Sequence, residues 1–411
     1  MTLDTEKVRA DFPALAQSGI YLDNAATTHK PKMVLDAESS FYHSFNANPY
    51  RAQHTAGRKV TQLYEASRNI VADYIGADTN EVIFTRNTTE SLNLLAYAWA
   101  LKELTEKDRI VLPIYEHHSN LVPWQMVSRQ TGAQLTYLYP DKDGIITQQE
   151  IEKVVTPDTA LITCAHISNV YGSASPVEAL VEAAQAVGAR VFLDCAQSVA
   201  HMPLDLHALQ VDAAAFSGHK VYGPLGIGVL YVKHEMLQSM EPFMLGGEMI
   251  DQVMERTATY QEGPRRFEAG TPPVAGAFGL AHALDYLYQI GWDEISQKES
   301  RLTQMLLEGL KEIKGVRIIG SEDPQKRAGS LVSFTYSPLN TIDVAYDLDL
   351  AGIAIRAGAQ CAQPLHRHLR LPGSLRISPC FYNTEDEIDR CLQRLQGAPR
   401  RMSQRMISNF P

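Results

Sequence analysis

Apolar runs of strand length alternate with stretches of helical periodicity through most of this chain. EVIFT, from Glu81, leads into TTESLNLLAYAWALKEL, and RIVLPIY is followed by a polar HHSN turn and then LVPWQMVSRQTG. ALITCAHISN precedes the helical PVEALVEAAQAVG, and ARVFLDCAQS comes next. Strands alternating with amphipathic helices predict an α/β fold, a doubly wound and largely parallel sheet with helices on both faces. From about Ala213 the pattern changes to AAFSGHKVYGPLGIGVLYVK, a strand, a Gly/Pro-rich loop and a second strand. After about Gly291 the helical EISQKESRLTQMLLEGLKEI opens a smaller α+β region with the strands SLVSFTY and IAIRAG and the closing helix TEDEIDRCLQRLQ. The expected layout is an N-terminal segment (1–20) packing on the small domain, a large domain (21–290), a small C-terminal domain (291–396) and a frayed tail (397–411).

Composition narrows the function. The 411 residues are 45% hydrophobic and 20% charged, as in an ordinary globular enzyme long enough for about two domains. A net charge of −10 gives no basic field for nucleic acid or anionic lipid. The apolar stretches are too short or too interrupted for a membrane span, and the acidic opening MTLDTEKVRADFPAL does not read as a secretory leader. The five cysteines (Cys164, Cys195, Cys361, Cys380, Cys391) are scattered, with no CxxC spacing. A disulfide framework and a cysteine-built zinc site are therefore not expected, and the expected setting is the cytoplasm.

Candidate chemistry gathers where strands end, which is where open α/β sheets bind ligands. Arg86-Asn87-Thr88-Thr89-Glu90 runs from a strand into a helix, so it reads either as an anion site or as a plain helix cap. Glu116-His117-His118-Ser119-Asn120 lacks a third metal ligand at usual spacing and reads as a polar loop or as a His able to stack on a flat ligand. VFLD delivers Asp194 to the sheet rim, where it either caps a helix or holds a protonated ring nitrogen. Ser217-Gly218-His219-Lys220 places a lysine beside small residues at a strand end, as carbonyl chemistry through an amine requires. The segment is not a P-loop, and Gly223, Gly226 and Gly228 have the wrong order for a dinucleotide fingerprint.

Taken in order, TTE, EHHSNLVPW, SNVYG, DCAQS, SGHK and RAGAQCAQPL resemble the class V, fold-type I enzymes that use pyridoxal 5'-phosphate. Within them the chain is similar to the cysteine desulfurases of the SufS/CsdA group, from YLDNAATT at Tyr21 to FYNTEDEID at Phe381. The resemblance implies that Lys220 binds the cofactor covalently, Asp194 pairs with its ring nitrogen, Gln197 bonds its ring oxygen and His117 stacks on its face. It implies phosphate contacts from Thr88, Thr89, Ser217 and His219, and from Thr271 of FEAGTP into the site of a neighbouring subunit, hence a homodimer. Asn169, Arg356 and Arg376 are implied to bind the substrate, L-cysteine or L-selenocysteine. Cys361 is implied to take the sulfur as a persulfide for a SufE- or SufU-like acceptor protein, in iron–sulfur cluster or other sulfur-cofactor assembly. A selenocysteine lyase, a class V transaminase and a C–S lyase would share the fold.

Cys361 also stands out by its flanks, Arg356-Ala357-Gly358-Ala359-Gln360 and Ala362-Gln363-Pro364, which are small and polar and carry a cation. Cys164 and Cys391 read as buried apolar residues. Three features depart from the family pattern. Ala359 and Gln360 stand where a His pair is usual, Leu339-Asn340-Thr341-Ile342-Asp343 lacks the His of chains that serve zinc-dependent acceptors, and Pro273 follows GTP in place of Asn.

Overall fold

The computed structural model describes residues 3–408. A two-residue strand, β1 (Ile20–Tyr21), precedes seven strands that build the large sheet: β2 (Val82–Thr85), β3 (Arg109–Pro113), β4 (Gln134–Leu138), β5 (Thr159–Ala165), β6 (Arg190–Asp194), β7 (Ala213–Ser217) and β8 (Gly228–Val232). Their order is β2-β8-β7-β6-β5-β3-β4. From β7 to β4 every pairing is parallel, as helical crossovers between strands require. β8 runs antiparallel to both neighbours, because the Gly/Pro-rich loop before it holds only a 3-10 turn and cannot return the chain to the starting edge.

The strands are apolar throughout because both faces are covered. Successive side chains serve opposite cores: Val82 and Phe84 join one cluster and Ile83 the other, and Val191 and Leu193 face away from Phe192. The polar residues are left to the strand ends, and these carry the site. Gly228 opens β8 where a Cβ would stand 2.6 Å from the Asn87 Cα, so the strand start and the helix Thr88–Leu95 meet backbone to backbone.

A short exposed hairpin, β9 (Ile250–Val253) with β10 (Ala258–Tyr260), leads to the helix Val274–Ile290. Beyond the helix Trp292–Lys311 come β11 (Val316–Ile319), β12 (Val332–Tyr336), β13 (Ile353–Ala354), β14 (Arg356–Gly358) and β15 (Ser374–Ile377). Four of them form an antiparallel sheet, β11-β12-β15-β14, over a core that includes Leu306, Phe334 and Ile388. The single strand expected for IAIRAG is two: β13 pairs in parallel with β1, whereas β14 pairs with β15. The N-terminal segment is tied down by Arg9, which bonds the Tyr382 carbonyl at 2.8 Å and Glu387 at 3.0 Å. Phe12 is packed among Tyr222, Tyr286, Phe381 and Tyr382.

The expected frayed tail is instead a helix, Ala398–Ser408. Ala398 and Met402 bury against the small-sheet core, and Arg401 bonds the fully buried Asp347 at 2.6 Å, which supplies the stabilisation a loose end would lack. Residues 409–411 of that tail, and residues 1–2, lie outside the described residues. Among the described residues, no helix is long and apolar enough to cross a membrane.

Candidate active site

The carboxyl ends of β2, β3, β5, β6 and β7 open onto a cleft of about 330 Å³, closed on its far side by residues of β14 and β15 and the loop between them. It brings together Thr88, Thr89, His117, Asn169, Asp194, Gln197, Ser217, His219, Lys220, Arg356, Cys361 and Arg376, so eleven positions of remote sequence origin join the Cys361 loop at one place. Thr271 is the sequence candidate that does not line it. That residue is exposed and borders neighbouring depressions beside Leu225, Gly226 and Pro272.

β6 ends in the buried Asp194, whose Oδ1 accepts the Ala196 N–H at 2.9 Å. Burial pushes the Asp194 carboxyl above its ordinary value, while the Lys220 charge and the Ala196 bond oppose the rise. Burial likewise lowers Lys220, against the attraction of Asp194, so proton loss from the amine is eased. The two groups face each other electrostatically because β6 and β7 are adjacent, with Asp194 opposite Ala215. Beside them the first turn of the helix Thr88–Leu95 is fixed to β7. Thr88 N–H donates to Ser217 Oγ at 2.9 Å, and the two hydroxyls lie 2.8 Å apart. Thr89 Oγ1 is 2.7 Å from Ser119 Oγ.

His117 follows β3. Its Nδ1 accepts the Ser119 N–H at 3.1 Å, so the neutral ring carries its proton on Nε2. Burial and the cations Lys220, Arg376 and Arg356, with His118, hold its pKa down to about 3. His219 is lowered to about 4 by burial, Lys220 and Lys30. The Gln197 side chain donates to the Ala25 carbonyl at 2.7 Å.

The far wall holds two arginines on one carboxylate. Asp23, just after β1, takes Arg376 at 3.2 Å on one oxygen and Arg356 at 3.5 Å on the other. Arg376 also donates to the Asn169 carbonyl at 3.0 Å. Asn169 spends its own amide on the Gln360 carbonyl, at 2.7 Å, so it braces the loop that carries Cys361. Gln360 and Cys361 both have positive φ, 52° and 55°, an arrangement that non-glycine residues adopt only when their surroundings impose it. Among the five cysteines, four are buried and Cys361 alone is partly open.

Asp23 and Ser119 are functional candidates that sequence reasoning missed. Asp23 sits within YLDNAATT, a stretch with too short a strand to show periodicity, and Ser119 lay inside a loop already singled out for its histidines.

The class-V aminotransferase family model matches residues 20–391. The chain belongs to that family. It is 44% identical over 405 residues to a probable cysteine desulfurase of Streptomyces coelicolor, covering 96% of this chain and 97% of the relative. A cysteine desulfurase of Haloferax volcanii is 39% identical, with coverages of 96% and 97%. Among solved structures, the cysteine desulfurase CsdA of Escherichia coli superposes with a TM-score of 0.90 at 36% identity, over 97% of this chain and 99% of that one. The apo cysteine desulfurase of Thermococcus onnurineus NA1 gives 0.92 at 38%, with coverages of 97% and 98%. The fold is the fold type I of the pyridoxal phosphate enzymes of this family.

The residues present fit that cofactor. Three side chains lining the cleft each keep a buried polar atom without a partner: His219 Nδ1, Gln360 Oε1 and Arg376 Nε. Unpaired polar atoms gathered in one cleft mark the place of a polar ligand. An amine eased toward deprotonation, a rim carboxylate, a neutral imidazole and a hydroxyl-lined helix start complete a donor set for a phosphorylated pyridine aldehyde.

Proposed function

We propose that this chain is a cysteine desulfurase that converts L-cysteine to L-alanine and carries the removed sulfur on Cys361. The observation that carries the reading is the position of Cys361, the one partly open cysteine, on the wall of the cleft that holds Lys220 and Asp194. Pyridoxal phosphate, when bound, supplies an electron sink that makes the substrate Cα proton acidic and weakens its Cβ–S bond. Lys220 binds the cofactor, and its amine moves the Cα proton. Asp194 holds the ring nitrogen protonated, Gln197 and His117 orient the ring, and Thr88, Thr89, Ser217 and His219 take the phosphate. Arg376 and Arg356 grip the substrate carboxylate, with Asn169 between Arg376 and the Cys361 loop.

The Cys361 thiolate attacks the substrate sulfur. The new S–S bond forms as Cβ–S breaks, the bonding electrons stay on the carbon skeleton, and two protons complete alanine. The persulfide then passes to the thiol of a SufE- or SufU-like acceptor protein, which restores Cys361. Thr271 lies outside this chain's own cleft, in depressions shared with the exposed Leu225 and Met244, which supports a homodimer in which it serves the partner's site. The reduced thiol needed here suits the cytoplasm and iron–sulfur or related sulfur-cofactor assembly.

The test is incubation of the cofactor-loaded protein with L-cysteine and a reductant while alanine, sulfide and pyruvate are all measured. Equal alanine and sulfide support the reading. Pyruvate with ammonia would replace it with a C–S lyase.

A further inference from the structure

The two adjacent histidines after β3 face different neighbours. His117 lines the cleft, whereas His118 does not and instead touches the Cys361 loop twice. The His118 backbone N–H donates to the Cys361 carbonyl at 2.8 Å. Its ring Nε2 accepts the Gln363 N–H at 3.3 Å. The rings of His117 and His118 stand 6.3 Å apart and inclined at 45°, so they are not stacked and each is free to serve its own neighbour.

The loop needs such a hold. Two consecutive non-glycine residues with positive φ each cost about 1 kcal/mol or more, so the segment would relax if nothing opposed it. Three of its contacts reach across to other segments: Asn169 to the Gln360 carbonyl, the Gln360 side chain to the Ser374 carbonyl at 3.2 Å, and His118. Of these, only His118 holds the chain from the reactive residue onward, at the carbonyl of 361 and the amide of 363, whereas the other two end on Gln360. It does so from the large sheet's β3 loop onto the segment between β14 and β15. We infer that His118 is a positioning residue, a latch that holds the Cys361 sulfur over the cleft and releases it when the Gln363 bond opens. The inference rests on the desulfurase reading for what the sulfur does, but the latch itself is a property of the chain alone.

The ring must act as an acceptor, because the Gln363 N–H points at Nε2. A protonated ring would set a donor against a donor. The charged group facing it is Arg367 from the helix Gln363–His368, while the neighbouring His117 ring is neutral, and burial together with Arg367 keeps His118 below its ordinary value and so neutral near pH 7.

Two substitutions separate latching from space filling. His118→Leu fills the site without an acceptor, and His118→Gln restores an oxygen at about the reach of Nε2. Amide hydrogen exchange at 359–363 and alkylation of Cys361 by iodoacetamide report loop opening whether or not the protein has activity. In His118→Leu both should quicken about fivefold, the factor that one net hydrogen bond is worth, and His118→Gln should return them toward wild type. With L-cysteine, kcat should fall, by no more than that factor, while KM and the cofactor absorbance stay unchanged. Unchanged exchange and alkylation in a folded His118→Leu protein would overturn the latch, as would equal acceleration in both variants. Accelerated exchange in a protein that makes no alanine would keep the latch and sink the desulfurase reading instead.

Discussion

Replacing Asp23 by Asn tests how the substrate carboxylate is gripped. The Asp23–Arg376 contact is 3.2 Å with the guanidinium 3% exposed, whereas Arg356 is 3.5 Å away and 44% exposed. At an effective dielectric of about 20, the first attraction is about 5 kcal/mol before desolvation. Removing both partners from water offsets most of it. The Arg356 half, screened by solvent, adds at most about 1 kcal/mol. Asn leaves an acceptor in place, so the net loss is about 1–2 kcal/mol, equivalent to roughly five- to thirtyfold. That loss falls on the orientation of Arg376, whose Nε has no partner and whose remaining bond, to the Asn169 carbonyl, does not fix the plane of the fork. Steady-state kinetics on Asp23→Asn should show KM for L-cysteine raised about tenfold, with cofactor affinity unchanged and a thermal midpoint lower by a few degrees. An unchanged KM alongside a lowered midpoint would make the bridge structural only. A lowered KM would show that Asp23 competes with substrate for the arginines, the reverse of the reasoning.

Cys361→Ser should bind cofactor and substrate with normal spectra yet form neither persulfide nor alanine from L-cysteine, since a hydroxyl is a poor nucleophile toward divalent sulfur; activity on L-selenocysteine should survive, and full cysteine desulfuration by the variant would refute the persulfide step. Asp194→Ala should stay folded and slow turnover about 10²- to 10³-fold, as measured by single-turnover alanine release, because the charge opposite the ring nitrogen is gone. His201, paired at 2.7 Å with Glu299, is lowered by burial but raised more by that carboxylate, giving a net rise. It binds its proton more tightly in the folded state, so the pair's stabilisation is full below the unfolded value near 6.5 and is lost as pH rises through the raised folded value. Thermal midpoints should therefore fall as pH rises above the unfolded value near 6.5 in the native protein, and Glu299→Gln should flatten that part of the profile.

The strand ends were legible because burial on both faces leaves polarity only there: VFLD and AAFS, read as apolar runs ending in Asp194 and Ser217, are β6 and β7. What could not be read depends on pairing over long sequence distances. IAIRAG has no internal break, yet Ile353–Ala354 and Arg356–Gly358 join different sheets because β1 and β15 lie on different sides of the chain. The tail looked loose because APRRMSQRM is polar, and the buried Asp347 that anchors Arg401 is 54 residues away. Asn169 was legible as a site residue, but its amide is committed to the Gln360 carbonyl, which only the left-handed turn of the loop presents.

The pairing of β1 with β13 also sets an order of assembly during synthesis. Asp23 and Arg376 are separated by 353 residues, and Ile20 bonds the Gly352 carbonyl at 2.8 Å. On the ribosome, the parallel core from β3 to β7 can form while the arginines are still unmade. The β1 strand must then wait, with Ile20 unpaired, until β13 emerges. Contacts of such long range form late in folding. A chain truncated after the large sheet would thus retain Lys220 and Asp194 but never complete the wall that Arg356, Cys361 and Arg376 form, and Ile20 would be left without its strand partner.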